Sequence, residues 1–344
     1  MEAIDYKCPA CGAKLPFNPD EQKWTCEYCG NSFTLEVLEK YNNKESDEYD
    51  EIDVDVYECS NCGAKVVTDE NTVATACVYC GNTAIMKNRI KGKFKPARII
   101  PFKTNKKMAV SAFKLFKKGK LFAPKDFSEE KNIQKIAGVY VPFWIYDCDT
   151  YIKLKFNCKN IHTWRIGDYV YTKTDRYLVT REGSMFFDNV PVDGSEKFED
   201  DVMDSIEPFD YKDLVNFNPS YLSGFLAEKY DVEKEKAAVR ARKRVETTAE
   251  LKMRETVKGY GTVNVGSKNV EINFKDLQYI LLPVWILTIN YKNKLYTFAM
   301  NGQTGKMVGN IPRSFTKILL WGIGVFTGFT ALFSFIVWIA RLFG

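Results

Sequence analysis

Two apolar stretches dominate the pattern of hydrophobic and polar positions. Residues 139–146 form an almost continuous apolar run, and apolar and polar residues then alternate through 150–156. The same arrangement returns 141 residues later at 280–287 and 295–298, and both copies contain Pro-x-Trp-Ile. An alternation with period two is typical of strands with one solvated face. The pattern therefore predicts two related β units, although two copies of so short a pattern also arise by chance.

Helical patterns flank these strands. Asn105 is the predicted N-cap of the first helix, which ends near Gly119, and Asp231 is the predicted N-cap of the second. The predicted elements are helices over 105–116 and 232–257, and strands over 87–102, over 169–180 and around Val190. We expect residues 91–312 to form one α+β domain with an antiparallel sheet.

The last segment is apolar without interruption. Residues 318–340 are 23 uncharged residues, about 34 Å as a helix at about 1.5 Å per residue, which is long enough to span a bilayer. Trp321 and Trp338 lie near its two ends, where aromatic rings prefer the membrane interfaces. A buried core helix is the alternative. The pattern predicts a single-pass transmembrane tail anchor at 313–344.

A cysteine quartet occurs twice near the N-terminus. Each copy has two Cys-x-x-Cys pairs separated by fourteen residues, and the second copy is the first shifted by 51 positions. A glycine follows the second cysteine of every pair, where a positive φ lets backbone amides turn toward the sulfurs. The eight cysteines are Cys8, Cys11, Cys26, Cys29, Cys59, Cys62, Cys77 and Cys80.

Four thiolates in two such pairs favour tetrahedral Zn(II), and the residues between the pairs suffice for a short hairpin, so each quartet predicts a zinc ribbon. Since all four ligands come from the protein, we expect two structural rather than catalytic Zn(II) ions. Disulfides are the alternative, but they need an oxidising compartment, and residues 1–6 do not resemble a secretory signal. A redox dithiol would need a thioredoxin-like βαβ unit, which the pattern does not contain.

The net charge of +5 hides two opposite segments. Residues 41–56 hold seven acidic residues and one lysine, whereas residues 87–120 hold thirteen Lys or Arg and no acid. The acidic run predicts a solvated linker. The predicted organisation is a first ribbon at 1–40, an acidic linker at 41–55, a second ribbon at 56–90, the α+β domain at 91–312 and the membrane tail at 313–344.

Few residues offer catalytic chemistry. His162 is the only histidine in the sequence, which removes most nucleophile–base pairs and catalytic metal sites. We expect it to be a partly exposed strand residue. Cys148 and Cys158 lie in predicted strands, where buried thiols pack like small hydrophobic groups. The acidic residues 200–204 fall in a predicted solvated loop. We therefore expect no enzymatic activity and no catalytic residues.

The paired ribbons and four further segments resemble a group of bacterial double-zinc-ribbon membrane proteins, with ribbons of the TFIIB type and a C-terminal transmembrane anchor. The segments are VYVPFW at 139–144, VPVDGS at 190–195, IEPFD at 206–210 and NGQTGK at 301–306. Members are sometimes labelled replication-restart helicases. The sequence lacks the Gly-x-x-x-x-Gly-Lys-Ser/Thr motif of nucleotide-driven motors. The superficially similar run at 302–307 predicts instead a hairpin turn in which Gly302 and Gly305 supply positive φ.

Two classes of function fit this organisation. In the first, the protein is a membrane-anchored adaptor or scaffold with its bulk in the cytoplasm, its ribbons docking protein partners and its lysines facing anionic lipid head groups. In the second, the ribbons and the basic segment 87–120 bind nucleic acid. The acidic linker would repel phosphate, and tethering suits assembly at one surface, so the sequence favours the adaptor.

Two further contacts follow from the C-terminal segment. The lipid bilayer is the expected partner of residues 318–340. Gly324 and Gly328 form a Gly-x-x-x-Gly pair that would let two such helices approach and form a homodimer, although such a pair also occurs by chance.

Overall fold

The computed structural model confirms the predicted α+β class. Residues 43–51 of the acidic linker and parts of the second cysteine quartet lie outside the described residues. The described residues are 6–42, 52–54, 56–59, 65–67, 77, 79, 85–86, 92–94, 96–124, 126–128, 133–197, 200–292 and 294–343.

Short strands near the N-terminus precede three long ones in the described part of the chain. The strands are β1 (Phe17–Asn18), β2 (Lys23–Thr25), β3 (Ser32–Phe33), β4 (Ile52–Val54), β5 (Val56–Cys59), β6 (Lys65–Val67), β7 (Ile85–Met86), β8 (Gly92–Phe94), β9 (Arg98–Ile99), β10 (Ile133–Ile166), β11 (Tyr169–Asp193), β12 (Val215–Asn216), β13 (Leu226–Glu228), β14 (Thr262–Tyr291), β15 (Lys294–Asn301) and β16 (Met307–Gly309). The helices are α1 (Leu35–Asn42), α2 (Lys106–Lys118), α3 (Asp200–Ile206), α4 (Lys234–Glu255) and α5 (Phe315–Phe343).

The strands β10, β11 and β14 organise the fold. β10 pairs antiparallel with β11 on one side and with β14 on the other, and β14 also pairs antiparallel with β15. The two Pro-x-Trp-Ile units lie side by side, with Val139 opposite Val284 and Tyr140 opposite Pro283. Each unit is followed by its own partner strand, β11 or β15. The short strands predicted from the sequence are therefore parts of much longer ones.

The middle of this sheet is buried on both faces. Tyr140 and Trp144 of β10 point into a core shared with β1 and β2, whereas Val139 and Phe143 point into a core shared with α3. Side chains on both faces of the strand are thus removed from water. Double burial explains why residues 139–146 form a continuous apolar run instead of an alternation.

Beyond this body the same three strands form a narrow arm. We define the arm as β10 from Cys148 onward, β11 up to Phe187, β14 up to Phe274, and α4, which packs on one face. The buried residues of α4 recur every four positions and most are alanines, so the helix lies close to the strands. Ile152 and Leu154 face α4, while the residues between them are more exposed, which gives the period of two seen in the sequence.

Strands of the second predicted ribbon belong to the large central sheet. β13 pairs parallel with β10, and β6 pairs antiparallel with β13. β5 then pairs with both β6 and β7. Among the described residues, this sheet is therefore mixed rather than purely antiparallel.

Helix α2 agrees with the sequence at both ends. The Asn105 side chain caps it by accepting a hydrogen bond from the backbone N–H of Met108 at 2.9 Å. Gly119 follows the last turn, and its N–H donates to the carbonyl oxygen of Leu115. The predicted helix and its cap are confirmed.

The predicted cap of α4 is wrong. The helix begins at Lys234, and Glu233 occupies the N-cap position without a side-chain cap bond. Asp231 instead accepts a hydrogen bond from the backbone N–H of Glu196 at 2.7 Å and forms an ion pair with Lys197 at 3.5 Å. Its carboxylate therefore fixes the segment after β11 rather than the helix.

The turn between β15 and β16 is present as predicted, but its two glycines are required for different reasons. Gly305 has a φ of +78°. Gly302 has no positive φ, so that part of the prediction is wrong. A Cβ on Gly302 would lie 2.6 Å from the ring of Phe102 and 2.8 Å from Cβ of Pro283. Close packing, not backbone conformation, requires a glycine at this position.

Helix α5 includes the predicted span 318–340 and is the one described helix that is long and apolar enough to cross a membrane. The stretch from Phe315 to Ile339 is not buried against the rest of the protein, and Trp321 and Trp338 are exposed. A core helix would be buried. This exposure is typical of a membrane anchor.

Candidate metal centre

The first cysteine quartet forms two turns that face each other. In the first turn the backbone N–H of Gly12 donates to the carbonyl oxygen of Cys8 at 2.8 Å, and Gly12 has a φ of +72°. In the second turn Gly30 donates to Cys26 at 2.8 Å with a φ of +75°. Both glycines adopt the positive φ that the sequence predicts, and the two turns therefore have the same shape. The equivalent Gly63 and Gly81 lie outside the described residues.

The four sulfurs converge on one point. Sγ of Cys8 lies 3.5 Å from Sγ of Cys29, and Sγ of Cys11 lies 3.6 Å from Sγ of Cys26. All four sulfurs lie within 4.8 Å of one another. Tetrahedral zinc with Zn–S bonds of about 2.3 Å separates its sulfurs by about 3.8 Å. The quartet can thus hold one zinc ion, and with the sheet formed by β1, β2 and β3 it indicates a zinc ribbon.

The backbone around Cys26 favours its thiolate, which is the metal-binding form of cysteine. Hydrogen bonds from the backbone amides of Cys29 and Tyr28 lower the pKa of the Cys26 thiol to about 7. The Asn31 side chain also donates to Sγ of Cys29 at 3.5 Å. Cys8 and Cys26 are buried, whereas Cys11 and Cys29 are exposed, so one side of the centre faces solvent.

The ribbon is fixed to the body by side chains on its opposite side. The indole N–H of Trp24 donates to the carbonyl oxygen of Ser220 at 2.9 Å, and the Tyr6 hydroxyl donates to Asn218 at 3.1 Å. The ring of Trp24 also lies 5.1 Å from the rings of both Phe17 and Tyr221. These contacts hold the buried half of the ribbon and leave the half with Cys11 and Cys29 free.

The second quartet is described only in part. Cys59 and Cys77 are both buried in the core that lies between the sheet and α3. Cys62 and Cys80 lie outside the described residues. Tyr79, which stands between its last two cysteines, is buried and donates its hydroxyl to Glu228 at 2.7 Å. The equivalent Tyr28 of the first quartet is 85% exposed.

Glu228 is the centre of a buried polar cluster that the sequence does not reveal, because one acidic residue in a short strand has no distinctive pattern. Its second carboxylate oxygen accepts a hydrogen bond from the Ser195 hydroxyl at 2.8 Å. Burial raises the pKa of the Glu228 carboxyl to about 8, although the hydroxyls of Tyr79 and Ser195 oppose the increase. The cluster connects the second quartet to the segment after β11.

This raised pKa predicts a loss of stability as the pH rises. The folded protein holds the Glu228 proton more tightly than the unfolded chain, whose glutamates have pKa values of about 4.3. The stabilisation of the folded state by the protonated Glu228 carboxyl is therefore complete below about pH 4.3 and is lost as the pH approaches about 8. We expect Glu228→Gln to reduce the decrease in free energy of unfolding between pH 5.5 and 8, measured by urea denaturation. In the control variant Glu271→Gln, which changes an exposed residue, the free energy of unfolding should decrease with pH as it does in the wild type. An equal decrease in Glu228→Gln would contradict the assignment.

The other predicted candidates lie apart from the cysteine centre. His162 is exposed on β10, with Nε2 lying 3.8 Å from Asp175, which agrees with the expected strand position. Cys148 and Cys158 are buried as predicted. The predicted acidic loop at 200–204 is instead part of helix α3, which buries Met203 and Ile206 in the core, while Asp204 pairs with two arginines of α4. Among the described residues, the first quartet is the one group of ligating side chains close enough to hold a metal.

These features define an α+β protein with an N-terminal four-cysteine centre of the zinc-ribbon kind and a C-terminal apolar helix. No protein-family model and no solved structure gives a significant match to the chain. The chain is 36% identical over 325 residues to a protein of Bacillus subtilis (strain 168) named "Uncharacterized protein YdjG". The alignment covers 94% of this chain and 95% of that relative, so the chain belongs to the YdjG family.

Proposed function

We propose that this protein is a membrane-anchored zinc-binding adaptor that docks protein partners at the cytoplasmic face of a membrane. In this proposal each of the two cysteine quartets holds one structural Zn(II), and α5 crosses the bilayer once. The carrying observation is that the segment following the basic helix α2 contacts the start of α5.

Three contacts join residues 122–123, which follow α2, to the start of α5. The backbone N–H of Ser314 donates to the carbonyl oxygen of Phe122 at 2.7 Å, and the Lys317 ammonium donates to Ala123 at 2.6 Å. The Phe122 ring lies 6.0 Å from Trp321 in an edge-to-face arrangement. If α5 spans a bilayer, the end of α2 lies at the bilayer surface.

The surface of α2 has the composition of a lipid-facing helix. Leu115 on α2 and Leu121 shortly after its end are 69% and 62% exposed. Exposed lysines surround them, namely Lys114, Lys118 and Lys120. Apolar side chains beside lysines are typical of helices that lie in the interface of an anionic membrane. The basic segment that suggested nucleic acid therefore has a second explanation.

The free side of the first ribbon supports docking of a protein. Its buried side is occupied by the body, so that the exposed Tyr28 and the knuckle around Cys29 are presented in a fixed orientation. Exposed tyrosines on rigid supports are common in protein interfaces. The acidic residues Glu21 and Glu27 are exposed on the same ribbon, which favours a protein over a polyphosphate.

The chain truncated after residue 312 tests the lipid contact. We expect it to bind vesicles that contain phosphatidylglycerol, and we expect the substitution of Lys114, Lys118 and Lys120 by glutamine to weaken this binding. Each lysine near an anionic surface contributes about 1 kcal/mol, or about fivefold in partitioning, measured by vesicle sedimentation. The matched control replaces Lys243, Lys252 and Lys258, which are exposed on or next to α4, and should bind as the wild type does.

The same truncated chain separates the two functional hypotheses. Binding of DNA or RNA with a steep salt dependence, together with no binding to anionic vesicles, would support the nucleic-acid function and contradict the adaptor. Crosslinking in native membranes through a photoreactive residue at Tyr28 then identifies what the first ribbon contacts. Capture of nucleic acid in place of protein would also contradict the proposal.

A further inference from the structure

The arm ends in a hairpin of β10 and β11 that extends beyond both β14 and α4. The pairing of β14 with β10 begins at Thr262, which lies opposite Lys159, so residues 160–175 form only a two-stranded ribbon. α4 ends at Glu255, and the Asn160 side chain binds the backbone of the turn that follows the helix, at Gly259 and Gly261. We call residues 160–175 the tip.

One face of the tip is apolar and uncovered. Trp164 and Tyr171 lie opposite each other, as do Ile166 and Tyr169, and all four continue the face that α4 covers farther back. They are 45% to 73% exposed. A cross-strand aromatic pair stabilises an isolated hairpin, and the rings of Trp164 and Tyr171 stack at 5.9 Å. That role does not explain Ile166 and Tyr169, which are the more exposed pair.

The tip and the start of α5 lie toward opposite ends of the sheet. β16 runs back toward the end of the sheet where β10 begins, and α5 starts a few residues later. The turn after Ile166 lies at the other end of β10. A strand of 34 residues spans up to about 110 Å at about 3.3 Å per residue. Two copies anchored in one membrane in the same orientation therefore carry their tips at the same distance from it.

The charges of the tip fit a second copy of itself. Arg165 and Lys173 are balanced by Asp168 and Asp175, so residues 160–175 carry no net charge when His162 is neutral. A neutral surface does not attract phosphate groups, whether from nucleic acid or from lipid. Lys173 and Asp175 lie on the same face as the apolar pairs and form an ion pair at 3.2 Å, so two such faces related by a two-fold axis can exchange these opposite charges across the contact.

We propose that the tip joins two copies of this chain through the faces formed by Trp164, Ile166, Tyr169 and Tyr171. Four partly exposed side chains per copy bury less than the ~1,200 Å² of a stable interface, so the contact forms only when anchoring confines both copies to one membrane. The proposal uses the anchor of the proposed function but not the docking role of the ribbons.

Cysteine crosslinking of the full chain in proteoliposomes tests this contact. Asp168→Cys places a thiol at the turn of the tip, and Ser184→Cys places one on an exposed position farther back on the arm. With a short bis-maleimide, we expect covalent dimers from Asp168→Cys and at least fivefold fewer from Ser184→Cys. Adding Trp164→Ser and Tyr169→Ser to Asp168→Cys should reduce the yield to the Ser184→Cys level. The matched change Leu251→Ser, on an exposed residue of α4, should leave it unchanged.

Several outcomes would overturn the proposal. The first is an equal dimer yield from the two cysteine positions. The second is a dimer yield that persists when Trp164 and Tyr169 are serine, which is the result expected from contact through α5 alone. The third is crosslinking to another protein in native membranes without dimers in proteoliposomes. Zinc content and circular dichroism of each variant verify folding. Extraction of the chain from membranes by carbonate would refute the anchor itself, which separates failure of the proposed function from failure of the tip contact.

Discussion

Replacing Cys26 by serine is expected to remove one zinc ion per chain and to unfold the first ribbon. Structural zinc contributes about 10–16 kcal/mol of apparent binding free energy in small zinc domains, and a ribbon with three strands of two or three residues has little core of its own. Zinc content measured by plasma mass spectrometry should decrease by one ion per chain relative to the wild type. The fluorescence of the buried Trp24 should shift to longer wavelength.

A matched cysteine change controls for the thiol itself. Cys158 is buried in the arm and is not near the other sulfurs, so Cys158→Ser should retain both zinc ions even though it places a hydroxyl in an apolar core. An unchanged zinc content in Cys26→Ser would show that the first quartet is not a zinc ligand set. A chain with no zinc and two disulfides per quartet would restore the alternative considered from the sequence.

Arg240→Met is expected to be strongly destabilising, although it lies outside the ribbons. Nη1 of Arg240 lies 2.8 Å from Oδ1 of Asp193, whose side chain is fully buried. Removal of one partner from a buried ion pair costs about 3–5 kcal/mol, because the remaining charge loses its compensation. The measurement is the free energy of unfolding by urea, at constant pH and zinc concentration.

Two variants establish the cause of that loss. Lys252→Ala removes an exposed ion pair with Glu255 on the same helix and should cost at most about 1 kcal/mol. Adding Asp193→Asn to Arg240→Met removes the uncompensated charge and should restore part of the stability. If the double variant is as unstable as the sum of its single changes, the ion pair is not the reason for the loss.

The sequence predicted the elements whose patterns are local. The knuckle glycines at 12 and 30, the Asn105 cap and the exposed apolar helix α5 each depend on a few neighbouring residues, and each appears in the structure. The central strands were also recognised, because burial on both faces gives a long apolar run at 139–146. The pattern does not predict the full lengths of these strands, since the face of the arm opposite α4 is solvated and its polar residues resemble a strand end.

Gly266 shows why half of β14 was not recognised. Val263 and Val265 alternate with polar residues as a strand should, but Gly266, Ser267 and Lys268 interrupt the alternation. In the structure Ser267 lies opposite Lys155 and Val265 opposite Phe156, so Gly266 is the extra residue of a β-bulge. A single glycine in an alternating stretch was a readable signal of this bulge.

Other features had no local signal at all. Asp231 is a good cap by residue type, yet its carboxylate contacts the segment after β11, which is distant in sequence. The pairing of β6 with β13, and the bond from Tyr79 to Glu228, join residues about 150 positions apart. Such contacts are set by packing of the whole chain and could not be predicted from the duplicated cysteines.

The shared sheet gives the two copies of the cysteine repeat unequal mechanical roles. The first ribbon is held by side chains and, among the described residues, by one backbone hydrogen bond, from Phe17 to Ser223. A pulling force could detach it while every strand of the central sheet stays paired. The strands of the second repeat are joined to β10 through β13, so the same force there must break the pairing of the central sheet. Of the two copies of the cysteine repeat, the first can thus separate from the body without loss of strand pairing in the central sheet, whereas the second cannot.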